Sequence, residues 1–249
     1  MAFEEYWNNT HQKYGNEKPV YDDWLDRYLE LFKDVKTPIL DLGSGTGNDT
    51  LYLIEKGYKV IACDYSQKAL EMINKYIPTA QTKLVDISKK LPFNDDEFEI
   101  IIADLSLHYF DNETTLEIMK EIKRILKKDG YLLARVNSVN DINHGAGQGQ
   151  KIEENFYFVE GYNKRFFSFE DVNKYFSIIG NVEVKEAEML RYTKSKKLIE
   201  IKVQKWKFNS TEMVEFFIFI GKKTDFNKEK QNFTKNFLKK WQKNTELFD

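Results

Sequence analysis

Pro38-Ile39-Leu40-Asp41-Leu42-Gly43-Ser44-Gly45-Thr46-Gly47-Asn48 is the stretch that decides the fold. A short apolar run leads into an acid and then into three glycines at alternate positions. Glycines in such a turn let backbone come within contact distance of a ligand, because no Cβ stands in the way. A helix pattern begins directly afterwards, so unpaired amide groups and the positive end of a helix dipole face the same place. The arrangement describes a nucleotide-like site at the end of a first parallel strand.

The spacing narrows the ligand. The dinucleotide fingerprint asks for Gly-x-Gly-x-x-Gly, but the third glycine here is Gly47 and position 48 is Asn. Asp41, just before the glycines, suits a ligand that carries a cation, such as a sulfonium with an α-ammonium. The alternative is a glycine turn that links strand to helix and binds nothing. The run resembles the glycine-rich motif of the class I S-adenosylmethionine (SAM)-dependent methyltransferases, which reads acid, apolar, Gly-x-Gly-x-Gly.

Downstream residues arrive in register with that motif. Asp49 to Lys56 reads as a helix stopped by Gly57. Lys59-Val60-Ile61-Ala62-Cys63-Asp64 is a second buried strand, and its terminal acid lies 21 residues past Gly43. A carboxylate at about 20 residues takes ribose hydroxyls in nucleotide folds, accepting from two neighbours at once. The competing role for Asp64 is to cap the helix that starts near Ser66. That helix runs to Tyr76, ahead of Pro78, and Thr82 to Ile87 forms a third strand. Phe98-Glu99-Ile100-Ile101-Ile102-Ala103-Asp104 is apolar through its middle, as a central parallel strand should be. Asn112 to Leu126 is a helix with Leu116, Met119, Ile122 and Leu126 inward, and Tyr131 to Asn137 is a fifth strand. Strand–helix alternation with short links predicts an α/β fold, a doubly wound and mostly parallel sheet. The resemblance covers roughly residues 36–137 and implies seven strands, with the last one antiparallel.

The flanks are less regular. Residues 1–35 are aromatic and charged, and Trp24, Leu25, Tyr28, Leu29 and Phe32 recur at helical spacing, as a helix packed outside the sheet would. The segment before them resembles the N-terminal cap of small-molecule methyltransferases, in which an aromatic such as Tyr14 reaches the cofactor. Residues 138–165 read as a long polar loop at the ligand end of the sheet, a substrate loop carrying His144 and Tyr157; the alternative is a connection without chemistry. Ser168 and Asp171 form a variant capping box for a helix whose inner face is Phe169, Val172, Phe176 and Ile179. Val182 to Ala187, Leu198 to Val203 and Met213 to Ile220 are strand candidates, and sequence does not choose between the last two for the final strand. Lysines dominate 222–243, with Phe233, Phe237 and Trp241 at four-residue steps. That pattern is an amphipathic helix with lysines in water, or else an RNA- or membrane-facing appendage. The expected organisation is therefore a cap at 1–35, a catalytic domain at 36–221 and a lysine-rich helix at 222–249.

Composition excludes several classes. Thirty-eight basic against forty acidic residues, a net charge of −2, argue against a general polyanion binder. One cysteine, Cys63, rules out an internal disulfide and a cysteine-rich zinc site, and no metal is expected. No apolar stretch has membrane-spanning length and no signal pattern opens the chain, so the expectation is soluble, cytoplasmic and without membrane attachment.

The resemblance implies a methyltransferase that uses SAM and releases S-adenosylhomocysteine (SAH). It implies cofactor contacts from Tyr14, Asp41, Gly43, Ser44, Gly45, Asp64, Tyr65, Asp86, Ile87, Asp104 and Leu105. Asp86 would meet the adenine amino group and Ile87 would pack on the ring. His108, Tyr109 and His144 are the candidates for orienting or deprotonating the acceptor; for His108 a purely structural place at a helix entrance remains the alternative. No Asn-Pro-Pro-Tyr or Asp-Pro-Pro-Tyr run follows the fourth strand, where base-amino methyltransferases carry one, so a small-molecule acceptor is expected. The rival readings are an RNA methyltransferase using the tail lysines, a SAM-binding module without catalysis, and a nicotinamide dehydrogenase. Gly145 to Gly149 with Arg165-Phe166-Phe167 look most like bacterial methyltransferases grouped with tellurite-resistance proteins.

Overall fold

A computed structural model describes residues 6–10, 18–159, 161–191 and 194–206. Tyr14, the 213–220 strand candidate and the lysine-rich segment 222–249 lie outside the described residues.

Among the described residues, ten strands and five α-helices follow the turn of 3-10 helix at Trp24–Tyr28: α1 Leu29–Phe32, β1 Ile39–Leu42, α2 Asn48–Glu55, β2 Val60–Asp64, α3 Gln67–Tyr76, β3 Gln81–Leu84, β4 Phe98–Asp104, α4 Asn112–Ile125, β5 Leu126–Asn137, β6 Gln150–Glu153, β7 Phe156–Val159, β8 Tyr162–Arg165, α5 Phe169–Phe176, β9 Gly180–Arg191 and β10 Lys194–Lys205. Seven of the strands form one sheet in the order β3-β2-β1-β4-β5-β10-β9. The pairs among β1 to β5 are parallel, and β10 runs antiparallel to both β5 and β9. This is the doubly wound sheet expected, with its order reversing between β1 and β4, where ligands bind in such folds. Among the described residues the final strand is β10, which contains Leu198 to Val203.

Period-two alternation sorts the core into two layers. From β4, Ile101 and Ala103 face a cluster with Ile118, Met119 and Ile122 of α4 and Val172 and Phe176 of α5. Ile100 and Ile102 face the other side, against Trp24, Leu25, Phe32, Tyr52 and Leu53. Among the described residues no helix is long and apolar enough to cross a membrane.

Several expectations needed correcting. Residues 24–32 are a 3-10 turn followed by one α turn, not a single helix. Tertiary anchors override local periodicity there: Trp24 Nε1 donates to Asp49 and Tyr28 Oη donates to Glu200. The segment 138–165 is not an irregular loop. It holds a three-stranded antiparallel sheet, β6-β7-β8, turned at Asn155 with φ of 56° and at Gly161 with φ of 92°. Arg165 fixes that sheet to the end of β4: its N–H donates to His108 O and its Nε to Phe110 O, while Nη2 pairs with Glu153 at 2.7 Å. Phe169 is 54% exposed, since as the first residue of α5 it lies beyond the face carried by Val172, Tyr175 and Phe176. The capping box of Ser168 and Asp171 is present in full. β3 stops at Leu84, so Asp86 stands two residues beyond it, and β5 begins at Leu126 directly after α4.

Candidate active site

The glycine turn is built by hydrogen bonds to β2. Gly43 and Ser44 N–H groups both donate to Cys63 O at 2.8 Å, and Gly45 N–H donates to Asp64 Oδ2 at 2.8 Å. Gly43, Gly45 and Gly47 take φ of 81°, 53° and 94°, the left-handed region that glycine enters without strain. A Cβ at Gly43 would stand 2.3 Å from that of Ser106, whose hydroxyl donates to Leu42 O at 2.7 Å. The turn is thus clamped between the ends of β2 and β4.

Beyond those strand ends lies a cavity of about 550 Å³, within the range of small-molecule sites. Gly43, Ser44, Gly45 and Thr46 line it from the turn, Asp64 and Tyr65 from the end of β2, and Val85, Asp86 and Ile87 from the segment after β3. Asp104, Leu105, Ser106, Tyr109 and Phe110 line it from the end of β4. Leu105 has a φ of 51°, which costs a side-chain-bearing residue of order 1–3 kcal/mol and is a mark of functional turns. Its N–H donates to Arg135 O. Trp7, Val20, Tyr21 and Asp22 line the cavity from the N-terminal segment, and Arg135 and Met189 from β5 and β9.

Each aspartate is held differently. Asp64 also accepts from Ser66 N–H at 2.8 Å, so one carboxylate fixes both the glycine turn and the entry to α3; the Ser66 side chain caps that helix. Asp86 Oδ1 accepts from the N–H and hydroxyl of Ser88. Asp41, 2% exposed, accepts from Thr50 Oγ1, and burial pushes its carboxyl up to about 7, with the charges of Asp104 and Asp64 adding to the rise. Asp49, in the first turn of α2, is also driven well above the carboxylate range by burial. Asp104 holds Nε and Nη2 of Arg135 at 2.6 and 2.8 Å, and Asp22 holds Nη1 at 2.6 Å. The Arg135 guanidinium lies 4.6 Å from the centre of the Trp24 ring.

The sequence-predicted residues divide accordingly. Asp41, Gly43, Ser44, Gly45, Asp64, Tyr65, Asp86, Ile87, Asp104, Leu105 and Tyr109 come together around the cavity. His108 and His144 do not line it. His108 is 3% exposed, and its carbonyl accepts from Arg165. His144 Nδ1 lies 2.9 Å from Asp141 Oδ1, in a cluster with buried Lys196. Sequence reasoning passed over Asp22, Asp49, Arg135 and Met189. A charged residue inside the apolar run Leu132-Leu133-Ala134-Arg135-Val136 was the available signal for Arg135.

Residues 39–130 match the methyltransferase domain family. A putative methyltransferase of Bacillus subtilis, YqeM, is 31% identical over 122 residues, 47% of this chain and 49% of its own. A malonyl-[acyl-carrier protein] O-methyltransferase of Hamiltonella defensa is 26% identical over 149 residues, 59% of this chain and 55% of its own. The chain therefore spans about half the length of the curated relatives it matches. A SAM-dependent methyltransferase of Methanosarcina mazei superposes with a TM-score of 0.61 at 22% identity, covering 72% of this chain and 97% of that one, a likeness of fold. None of these likenesses carries the finer kinship with tellurite-resistance proteins. The acid–glycine turn, the strand order and the match of residues 39–130 to the methyltransferase domain family agree, and the fold is that of the SAM-dependent methyltransferases.

Proposed function

We propose that the protein transfers the methyl group of SAM to a small-molecule acceptor. The observation that carries this reading is the single cavity wall in which the glycine turn, Asp64 and Asp86 continue into aromatic residues of the N-terminal segment and the end of β4. The residues fit the cofactor. Gly43 and Gly45 bring left-handed backbone to the cavity wall, and the acids around them favour a sulfonium and an ammonium. When bound, SAM supplies an electrophilic methyl group.

The chain's own contribution is binding, orientation and exclusion of water. Asp64 takes the ribose hydroxyls with lone pairs left over from its two backbone donors. Asp86 and Ile87 hold the adenine, and Asp41 sets negative charge under the cationic end. Trp7 and Tyr109, with ring centroids 5.0 Å apart, wall the acceptor side. Tyr109 is the remaining candidate for orienting the acceptor, since neither histidine reaches the cavity. The RNA reading rested on lysines 222–243, which lie outside the described residues, and nothing in the cavity favours it.

Incubation with methyl-labelled SAM and a pool of small metabolites tests the proposal. Label entering small-molecule products, with SAH released in step, is the expected result. Label entering only RNA or protein would overturn the small-molecule acceptor.

A further inference from the structure

The acceptor's charge is written into the wall. Six aspartates line the cavity (Asp22, Asp41, Asp49, Asp64, Asp86 and Asp104), and Arg135 is the one basic side chain among the described lining residues. An acceptor carboxylate or phosphate needs a cationic partner in such a place, because leaving a buried charge uncompensated is costly. Arg135 is already committed. Asp104 takes Nε and Nη2, Asp22 takes Nη1, and the ring of Trp24 covers one face. Every guanidinium nitrogen carries a carboxylate, and the trio as a whole is negative.

The two partners differ in character. Asp104 is the last residue of β4 and pairs with Arg135 across the sheet, so it belongs to the scaffold. Asp22 comes from the N-terminal segment, and its side chain is 36% exposed against 6% for Arg135. Both residues line the cavity, so Asp22 holds a guanidinium nitrogen that an acidic acceptor would otherwise take. Trp7 and Tyr109 add to the same preference, since ring faces attract cations and stack on flat neutral groups.

We propose that this methyltransferase selects a neutral or cationic acceptor with a flat aromatic face, and that Asp22 enforces the choice by capping Arg135 against acidic acceptors. The inference rests on the methyl-transfer reading and specifies its substrate class. Asp22 is a positioning residue that acts through Arg135.

Calorimetric titration of the full chain with matched probes tests it: phenethylamine against phenylpropionate, and tryptamine against indolepropionate, each with and without saturating SAH. The wild type should favour the amine of each pair by about tenfold or more. In Asp22→Asn the carboxylate should gain and the ratio should fall toward unity, a change that general loosening of the fold would not produce. Carboxylates binding as well as amines in the wild type, an unchanged ratio in Asp22→Asn, or no binding of either amine would each overturn the proposal. SAH failing to bind counts instead against the methyl-transfer reading, because the amine-to-carboxylate ratio is read in its absence too.

Discussion

Asp41→Asn separates what the cavity needs from what the fold prefers. Asp41 is 2% exposed at the end of β1, and burial raises its carboxyl from the ordinary 3.8 to about 7. A carboxyl with a raised folded-state value binds its proton more tightly when folded. Its contribution to stability is therefore present below about pH 4 and is lost as pH rises toward about 7. Roughly three units at 1.36 kcal/mol each bound that loss at about 4 kcal/mol. Asparagine is isosteric, cannot ionise and still accepts from Thr50 through its carbonyl oxygen. Its amide N–H groups lose water on burial at a cost of about 1–2 kcal/mol. The expected net gain near pH 8 is about 2 kcal/mol, or a Tm higher by about 4–8 °C in a protein of this size. Near pH 4, where that loss has barely set in, the amide's cost remains and the variant should be less stable by about 1–2 kcal/mol. SAM affinity should fall in the same variant, since the negative charge under its cationic end is gone. Thermal unfolding across that pH range, paired with SAM titration, is the assay. An Asp41→Asn protein less stable than wild type near pH 8, or a gap that does not change with pH, would refute the reasoning.

Two further perturbations follow from the same geometry. Gly43→Ala forces a Cβ to 2.3 Å from that of Ser106 at a φ of 81° and should abolish SAM binding and destabilise the fold, whereas Gly57→Ala, with a φ of 90° but nothing within 4 Å, should cost only about 1 kcal/mol and keep binding; chemical denaturation and titration of both variants check the contrast. Arg135→Met leaves Asp104 and Asp22 facing each other without a cation and should destabilise by about 3 kcal/mol, the low end for a buried pair because Asp22 is partly exposed; recovery of part of that loss in Arg135→Met with Asp104→Asn, by urea denaturation, is the confirming result.

The parts of the fold that were legible in sequence are those governed by local rules. β4 runs from Phe98 to Asp104 as its apolar stretch implied, and Ser168 caps the helix that follows it. The part of the cavity lined by the glycine turn was equally open to reading, because a glycine turn and an acid at the next strand end are fixed by chain spacing. The part lined by the N-terminal segment and β5 was not. Asp22 and Arg135 are 113 residues apart, and only the packing of the N-terminal segment across β5 brings them to 2.6 Å. The β6-β7-β8 sheet escaped for a different reason: its strands have four residues each, and Gln150–Glu153 and Tyr162–Arg165 are too polar to show an apolar alternation. His144 looked catalytic by residue type, yet Asp141 and Lys196 hold it in a network away from the cavity.

The central claim is that the glycine turn and Asp64 form a SAM site. Calorimetric titration with SAM and with SAH tests it most directly, in the wild type and in Asp64→Ala. Saturable binding of both ligands to the wild type, lost or much weakened in Asp64→Ala, is the result this account predicts. Failure of both to bind, or equal binding in Asp64→Ala, would contradict it.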